Sequence, residues 1–389
     1  MLGVRVLIVY DCLFPYTIGG GERWYRNLAQ RLAVEGHEVT YLTLRQWDGA
    51  ERPEFPGVDV HVAGPRMALY VRGRRRLGPP LVFGAGVLWH LLRRGKRYDV
   101  VHTSSFPFFS LLAAAVLRPV YRYALIVDWF ELWSREYWHD YLGAAGRVGW
   151  AVQKLCLGVP QHAFTLAEGT AERLRATGIH GEVEVLTGLH DLVPLSTPRP
   201  AQPLVVFAGR HIPEKRVGAL VSAFSALRER APELRLVVYG DGPGRPVVLA
   251  QIEADGLTEV ASAPGFVARE ELEESLADAL CLVLPSSREG YGLVVVEAAA
   301  LGVPSIVVAA PDNAATELVD EGENGFVAAS AAPEDLAEAI LRVRGAGEPL
   351  RASTAAWFAR NEDRLSLTGS LNLVAAAYAG SLIGASARS

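Results

Sequence analysis

Two series of short apolar runs, each alternating with helical stretches, constrain the fold of this chain more than any other feature. The candidate strands of the first half are Val4–Tyr10, Glu38–Leu44, Val58–Val62, Asp99–Thr103, Tyr123–Val127, Ala163–Ala167 and Val183–Leu186. Those of the second half are Leu204–Ala208, Leu234–Tyr239, Ala261–Val267, Leu280–Pro285, Pro304–Ala309 and Gly325–Ala328. Apolar strands separated by helical patterns are typical of doubly wound parallel sheets. The sequence therefore predicts an α/β protein with two Rossmann-like domains.

The chain changes composition and charge near residue 190. A proline-rich segment spans residues 191–202, residues 1–190 hold 22 Lys and Arg against 17 Asp and Glu, and residues 191–389 hold 16 against 26. At 389 residues the chain is also too long for one ordinary hydrophobic core. We predict an N-terminal domain over 1–190, a linker over 191–202, a C-terminal domain over 203–348 and further helices over 349–389.

A glycine-rich turn carrying two glutamates follows the strand Leu280–Pro285, and an apolar run predicts a helix after the turn. The first amides of a helix lack partners within the helix, and glycine lets the backbone approach a ligand closely, so the turn can receive an anion. The arrangement suits a sugar nucleotide, with hexose hydroxyls against Glu289, the diphosphate against the amides and ribose hydroxyls against Glu297. The residues concerned are Glu289, Gly290, Tyr291, Gly292, Leu293 and Glu297. Taken alone, the spacing between Glu289 and Glu297 is weak evidence for a binding site, because a solvated loop residue followed by a polar helix position would give the same sequence.

Two cations follow the strand Leu204–Ala208 and precede a helical pattern that begins at Val217. Arg210 offers a planar fork and Lys215 a point charge, and a helix start beside them favours a diphosphate. The alternative is an ordinary pair of surface cations beside Glu214. We expect His211, between them, to be a local hydrogen-bonding residue rather than a catalyst.

Three consecutive glycines, Gly19, Gly20 and Gly21, separate the first strand from the first helix, the position at which open α/β sheets bind phosphates. The spacing matches neither a dinucleotide fingerprint nor a Walker A loop. A mobile turn before a helix is the alternative interpretation.

Together these motifs resemble the signature of retaining GT-B glycosyltransferases of family 4, also called glycosyl transferases group 1, and the resemblance covers nearly the whole chain. It implies a GT-B fold, in which two Rossmann-like doubly wound domains face a central cleft and the last helices return to the N-terminal domain. It also implies that Arg210 and Lys215 bind the donor diphosphate and that Gly20 and Gly21 reach the donor from the N-terminal domain. The base of the nucleotide would contact the backbone near Phe266 and Val267.

The first half departs from the resembled family at one position. Many relatives carry a histidine there that contacts the donor sugar, and in one group it stands where this chain has Phe130. Either Asp128 or Glu131 takes the polar role, or the loop packs differently, and His139 is a more remote candidate. The tryptophans and tyrosines nearby would form a platform for the acceptor or pack among themselves.

The predicted reaction is transfer of a sugar, with retention, from a nucleoside-diphosphate sugar to a glycan, lipid-linked or small-molecule acceptor. We expect no cofactor and no metal, because the chain lacks Asp-x-Asp and the diphosphate site already holds cations and helix amides. A uridine or guanosine diphosphate sugar is the expected donor, with Glu289 orienting the sugar hydroxyls. A GT-B sugar-nucleotide epimerase and a noncatalytic sugar-nucleotide-binding subunit are the alternatives.

A basic cluster brackets an apolar segment in the first half. Arg72, Arg74, Arg75 and Arg76 precede the segment from Leu81 to Leu92, and Arg93, Arg94, Lys96 and Arg97 follow it. An ordinary packing helix accounts for this pattern, and weak peripheral contact with anionic lipid is the alternative. The net charge of −5 disfavours nucleic acid. The first apolar run is too short for a signal peptide and no run of about 18 apolar residues occurs, so we expect a cytoplasmic protein without membrane spans.

Overall fold

The computed structural model describes residues 3–49, 53–71, 74–192, 194–195 and 197–386. Two compact units make up the chain. The first comprises the residues up to Leu189 together with those from Leu367 onwards, and the second comprises His190–Ser366. Among the basic residues that bracket the apolar segment Leu81 to Leu92, Arg72 lies outside the described ranges.

A parallel sheet of seven strands forms the centre of the first unit, in the order β3-β2-β1-β6-β7-β8-β9. Its strands are β1 (Arg5–Val9), β2 (Glu38–Leu44), β3 (Val58–Gly64), β6 (Val100–Ser104), β7 (Ala124–Asp128), β8 (Gln161–Thr165) and β9 (Gly181–Val185). A small antiparallel pair consists of β4 (Tyr70–Val71) and β5 (Arg74–Arg75). The helices are α1 (Gly20–Val34), α2 (Gly78–Arg94), α3 (Phe109–Tyr121), α4 (Arg135–Leu142), α5 (Gly146–Leu157), α6 (Glu168–Ala176) and the last helix of the chain, α12 (Leu367–Ser386).

The core of the first unit lies on both faces of its sheet. In β1 the side chains of Val6, Leu7 and Ile8 are all fully buried, although successive residues point to opposite faces. Helices α2 and α3 contribute Phe83 and Leu111 to the core. Burial on both faces explains why the strands appear in the sequence as continuous apolar runs rather than as alternating patterns.

The second unit has a six-stranded parallel sheet in the order β12-β11-β10-β13-β15-β17. Its strands are β10 (Leu204–Ala208), β11 (Arg235–Tyr239), β12 (Ala261–Gly265), β13 (Cys281–Leu284), β15 (Ser305–Val308) and β17 (Gly325–Ala328). A separate two-residue pair consists of β14 (Arg288–Glu289) and β16 (Asp312–Asn313). The helices are α7 (Val217–Leu227), α8 (Arg245–Ala254), α9 (Arg269–Asp278), α10 (Leu293–Ala300) and α11 (Pro333–Leu365), which kinks at Gly347.

The end of the second unit differs from the sequence-based boundary at residue 348. Beyond its kink, α11 stays within the second unit, where Trp357 and Phe358 are buried. Arg351 is also buried, and its guanidinium donates to the carbonyls of Ala277 and Ala279 and, at 2.6 Å, of Arg199. A buried arginine must satisfy its donors, and these carbonyls all belong to the second unit. Of the two last helices, α11 and α12, only α12 belongs to the first unit.

The proline-rich segment predicted to be a linker is attached to the second unit. The amide of Leu195 donates to the carbonyl of Ala300 at 3.2 Å, and the amide of Gln202 donates to the carbonyl of Asp278 at 2.8 Å. Proline lacks an amide proton, so the segment has fewer backbone donors than other segments of its length.

Every predicted strand is present, and each of its ends lies within two residues of the prediction. The prediction of two doubly wound Rossmann-like domains is confirmed. Within the described ranges, no helix combines the length and the apolar content needed to cross a bilayer.

Candidate active site

The strand order of the second sheet reverses between β10 and β13. Strands β11 and β12 lie to one side of β10, and β15 and β17 lie beyond β13. In open parallel sheets the connections leave opposite faces at such a point, so a crevice opens there outside the carboxyl ends of the strands. The two predicted donor-binding motifs follow these two strands, since Arg210 and Lys215 come after β10 and Glu289 comes after β13.

Lys215 and Glu289 meet at this switch point. The Lys215 ammonium donates to Glu289 Oε1 at 2.5 Å, across 74 residues of sequence, and the Ser286 hydroxyl donates to the same oxygen at 2.7 Å. The side chains of Lys215 and Glu289 are 17% and 11% exposed, so solvent screens this ion pair only in part. No sequence motif pointed to Ser286, which is fully buried.

Backbone contacts fix the two loops that carry this pair. The amide and the hydroxyl of Ser287 both contact the carbonyl oxygen of Glu214, at 2.9 and 3.2 Å. The buried amide group of Asn313 donates to the carbonyls of Ser286 and Val308, at 3.2 and 2.8 Å. These bonds hold the ends of β10, β13 and β15 together, and Asn313 is a further supporting residue that the motif search missed.

The glycine-rich turn leads directly into α10, as predicted. Gly292 precedes the helix with a φ of 105°, a left-handed conformation that favours glycine, and a Cβ atom there would lie 2.7 Å from the Cβ of Ala315. Leu293 is the first residue of the helix, and its amide and that of Val294 come too early to bond within the helix. Of the other motif residues, Gly290 is half-buried, Tyr291 is buried, and Glu297 lies half-buried one turn into α10.

The loop after β10 has an unusual backbone. Arg210 is exposed, a short 3₁₀ turn covers Pro213–Lys215, and Arg216 has a φ of 46° although it is not glycine. Such conformations are costly and cluster at functional sites. His211 is 1% exposed, and burial lowers the pKa of its imidazole. Its backbone, rather than its ring, makes the local hydrogen bonds, to Asp241 and Gly244.

The predicted base-contacting segment lies at the carboxyl end of β12. Phe266 is 63% exposed and Val267 is half-buried. Gly265 before them has a φ of 100°, and its carbonyl accepts from the amide of Gly240 after β11. The guanidinium of Arg245, at the start of α8, lies beside Gly265 and donates twice to the carbonyl of Ala263, at 3.1 and 2.8 Å.

In the first unit, Gly20 and Gly21 are the opening residues of α1, which follows β1 at its carboxyl end. A Cβ atom on Gly21 would lie 2.7 Å from the hydroxyl of Tyr10, whereas one on Gly20 would meet open space. A side chain at position 21 would therefore displace Tyr10, whereas the space around Gly20 is open.

Asp128, proposed from sequence as a catalytic residue, is fully buried. Its Oδ2 accepts from the indole of Trp24 at 2.8 Å, and its Oδ1 lies 3.0 Å from His102 Nε2. His102 Nδ1 contacts the hydroxyl of Tyr378 on α12 at 2.7 Å. Burial and then the charge of Asp128 raise the pKa of Tyr25 and Tyr378 well above the ordinary value. Asp128 thus joins β6, β7, α1 and α12, and its complete burial favours a structural role over the catalytic role expected from the sequence.

Glu131, three residues after the end of β7, is the accessible acidic candidate. It is exposed, and its Oε2 accepts from the indole of Trp133 at 2.9 Å. Trp133 in turn contacts the rings of Phe106, Tyr137, Trp138 and Tyr141 at centroid distances of 4.6–5.6 Å. Much of the aromatic surface is therefore used in packing. The imidazole of His139 is 73% exposed.

One group among the described residues has the composition of a metal site. His162 lies on β8, and Glu182 and Glu184 lie on the neighbouring edge strand β9, with ligand atoms within 4.8 Å of one another. The group belongs to the first unit, and the two glutamates are 83% and 43% exposed.

Cys12, Cys156 and Cys281 are buried and unpaired, and burial raises the pKa of the Cys281 thiol to about 12.

Two family models match the chain. Residues 18–189 match "Glycosyltransferase Family 4" and residues 196–352 match "Glycosyl transferases group 1". A glycogen synthase of Mycobacterium tuberculosis is 27% identical over 367 residues, covering 88% of this chain and 85% of that protein. The first curated relatives match over 142 and 155 residues, so the chain spans about a third of their length.

Solved structures share the fold over nearly the whole chain. Sucrose-phosphate synthase from Thermosynechococcus elongatus superimposes with a TM-score of 0.83 at 19% identity, covering 98% of this chain and all of that one. Anabaena Alr3699/HepE, solved in complex with UDP-glucose, gives a TM-score of 0.71 at 17% identity over 97% of this chain and all of that one. With the two family models covering the two halves in turn, the chain belongs to the GT-B glycosyltransferases of family 4.

Proposed function

We propose that this protein is a retaining glycosyltransferase that moves a hexosyl group from a nucleoside-diphosphate sugar to a hydroxyl acceptor. The contact between Lys215 and Glu289 carries the proposal. It sets a cation suited to a diphosphate beside a carboxylate suited to sugar hydroxyls, at the point where a doubly wound sheet binds its ligand. Family membership and the UDP-glucose complex of the Anabaena protein support a sugar nucleotide as the ligand.

Donor binding would exchange the partner of Lys215. In the structure the Lys215 ammonium donates to the Glu289 carboxylate at 2.5 Å. A diphosphate carries more charge than one carboxylate and offers more acceptor oxygens, so Lys215 would turn to it. Glu289, still held by the Ser286 hydroxyl, would then accept hydrogen bonds from the hydroxyls of the transferred sugar. The ion pair would thus keep Lys215 and Glu289 in position until the donor binds between them.

Departure of the nucleoside diphosphate is the step that the site would accelerate most. Negative charge develops on the leaving oxygen, where Lys215, Arg210 and the first amides of α10 are proposed to lie. Because these groups can neutralise the charge, we propose that transfer needs neither a divalent cation nor another cofactor. Glu289 would orient the sugar rather than attack it, and Glu297, inside α10, would bind the ribose.

The donor is proposed to be a uridine or guanosine diphosphate sugar, and the acceptor a glycan, a lipid-linked sugar or a small molecule. Gly20 and Glu131, at the carboxyl ends of β1 and β7, are the accessible residues of the first unit that we assign to the donor and acceptor.

The test is release of nucleoside diphosphate by the purified full-length chain from a panel of UDP- and GDP-sugars, with and without candidate acceptors. Lys215→Ala is compared with Lys154→Ala, which removes an exposed lysine of α5. Acceptor-dependent release that is lost only in Lys215→Ala supports the proposal. An isomerised donor sugar without acceptor would indicate the epimerase alternative, and binding without turnover would indicate a noncatalytic subunit.

A second proposal concerns peripheral membrane contact through α2. Leu81, Trp89 and Leu92 lie on one face of this helix and are 52%, 57% and 49% exposed. The guanidinium of Arg93 lies 4.0 Å from the centroid of the Trp89 ring, and Lys96 after the helix is exposed. An apolar helix face edged by cations favours the interface of an anionic bilayer.

Co-sedimentation with vesicles tests this contact. Binding to phosphatidylserine-containing vesicles, weaker in high salt and reduced in Trp89→Gln, would support it. Val247→Gln is the control, because Val247 is 68% exposed in the second unit. Equal sedimentation with neutral and anionic vesicles, or no effect of Trp89→Gln, would contradict it.

A further inference from the structure

Arg245 occupies a position that the sequence motifs did not single out. It is the first residue of α8, and its side chain reaches from the loop after β11 to the end of β12. A Cβ atom on Gly265 would lie 3.4 Å from Arg245 Cζ, so the guanidinium lies directly against this glycine. The next residue is Phe266, whose ring is 63% exposed.

The guanidinium is fixed in orientation. Its Nε and Nη2 groups both donate to the carbonyl of Ala263, at 3.1 and 2.8 Å. Two bonds to one oxygen hold the plane of the fork and restrict its rotation. Among the described residues, no hydrogen bond engages the remaining Nη1 amino group. A guanidinium has donors and no acceptor, so this group can bind only a ligand atom that accepts.

The position along the sheet indicates which part of a donor would meet Arg245. Strand β11 separates β12 from β10, so Gly265 lies about two strand spacings, roughly 10 Å, from the end of β10 that leads to Lys215. This is the separation expected between the diphosphate of a nucleotide and its base. The exposed ring of Phe266 adds an apolar face against which a base can stack.

We propose that Arg245 recognises the base of the donor and selects bases with a carbonyl oxygen, uracil or guanine, over their amino counterparts, cytosine and adenine. The inference rests on the proposed function. The Nη1 group donates to O4 of uracil or O6 of guanine. Cytosine and adenine present an amino group at the same positions, and two donors facing each other leave both unpaired. Arg245 is therefore the residue that determines base specificity.

Calorimetry with free nucleoside diphosphates tests this assignment, because UDP and CDP differ only at C4 and at the adjoining N3, which carries a hydrogen in uracil and none in cytosine. We expect the wild-type chain to bind UDP about tenfold more tightly than CDP, and GDP more tightly than ADP, as one well-placed base contact gives. Arg245→Met should bring the UDP-to-CDP ratio close to one. Arg245→Gln supplies an acceptor oxygen as well as a donor and should move the ratio further towards CDP. Arg235→Met is the matched control, since Arg235 is exposed at the opposite end of β11.

The outcomes are distinguishable. A wild-type ratio near one overturns the inference, as does an equal loss of UDP and CDP affinity in Arg245→Met, which would show that Arg245 only supports the loop through Ala263. Where the Met variant unfolds, Arg245→Gln provides the test, because its UDP-to-CDP ratio should fall below that of the wild-type chain, and an unchanged ratio would overturn the inference. If the wild-type chain binds no nucleoside diphosphate, the proposed function itself fails.

Discussion

The Lys215–Glu289 ion pair leads us to expect that Glu289→Gln has opposite effects on nucleotide binding and on sugar transfer. This change removes the charge of Glu289 but keeps its size and its ability to accept from Ser286. In the wild-type chain a binding diphosphate must first separate Lys215 from the carboxylate, whereas in the variant the ammonium has no charged competitor. Binding of a free nucleoside diphosphate should therefore become tighter while transfer becomes slower.

The magnitude follows from the burial of the pair. Two unit charges about 4 Å apart at an effective dielectric constant of about 20 attract by roughly 4 kcal/mol, most of which offsets their desolvation. The side chains are 17% and 11% exposed, so the net stabilisation by the ion pair lies near the upper end of the range for surface ion pairs, about 1 kcal/mol. Nucleoside diphosphate should thus bind about fivefold more tightly to Glu289→Gln. Turnover should fall by about 100-fold or more, because the sugar loses a contact that strengthens as its bond breaks.

Calorimetry and steady-state kinetics on two variants provide the assay. Glu297→Gln should behave in the opposite way, with weaker nucleoside diphosphate binding and a raised donor KM, since the ribose does not react. Glu338→Gln, in an exposed ion pair with Arg230, is the control for loss of a carboxylate. If Glu289→Gln and Glu297→Gln weaken nucleoside diphosphate binding equally, the sugar does not lie against Glu289 and the exchange mechanism is refuted.

The other predictions concern the leaving group, the stereochemistry and the first unit. Lys215→Ala and Arg210→Ala should each lower kcat/KM by an amount equivalent to about 2–4 kcal/mol of transition-state stabilisation, and wild-type turnover would remove them from the site. Lys215→Ala should also lower the free energy of unfolding slightly, because it leaves the Glu289 carboxylate without its charged partner. Activity should survive EDTA, and NMR should show a product with the donor's anomeric configuration; an inverted product would contradict retention. Asp128→Ala should lower the free energy of unfolding by about 3 kcal/mol in urea while Glu131→Ala does not, because only Asp128 leaves buried donors unpaired. Burial lowers the pKa of His90 to about 4 from 6.5. Its neutral form therefore stabilises the fold fully above pH 6.5, and this contribution is lost as the pH falls through 4. His90→Gln should make the melting temperature less dependent on pH between 6.5 and 4. If the variant and the wild-type chain show the same dependence, His90 does not cause it.

The sequence sufficed for the strands and for the turns between them. A buried parallel strand appears as an apolar run, and a turn beside a ligand needs glycine, so both can be recognised within about ten residues of sequence. Gly292 illustrates this, because it adopts a φ of 105°, a conformation that favours glycine, and it is also one of the glycines by which the motif was recognised. The limits of the predicted domains were less accurate. Nothing local to Arg351 indicates that its donors meet carbonyls of the second unit, so the extent of α11 within that unit required the structure.

The sequence by itself determined the fold class and the residues of the donor motifs, because periodicity, turn chemistry and motif spacing are local properties. Only the tertiary structure decided which side chains meet. Lys215 and Glu289, 74 residues apart, become partners because β10 and β13 are neighbours across the switch point. Asp128 ends β7 and Glu131 stands three positions later, yet the first is enclosed by Trp24 and His102 and the second is exposed. Strand order and burial arise from packing among distant segments, and packing separates a structural carboxylate from one that a substrate can reach.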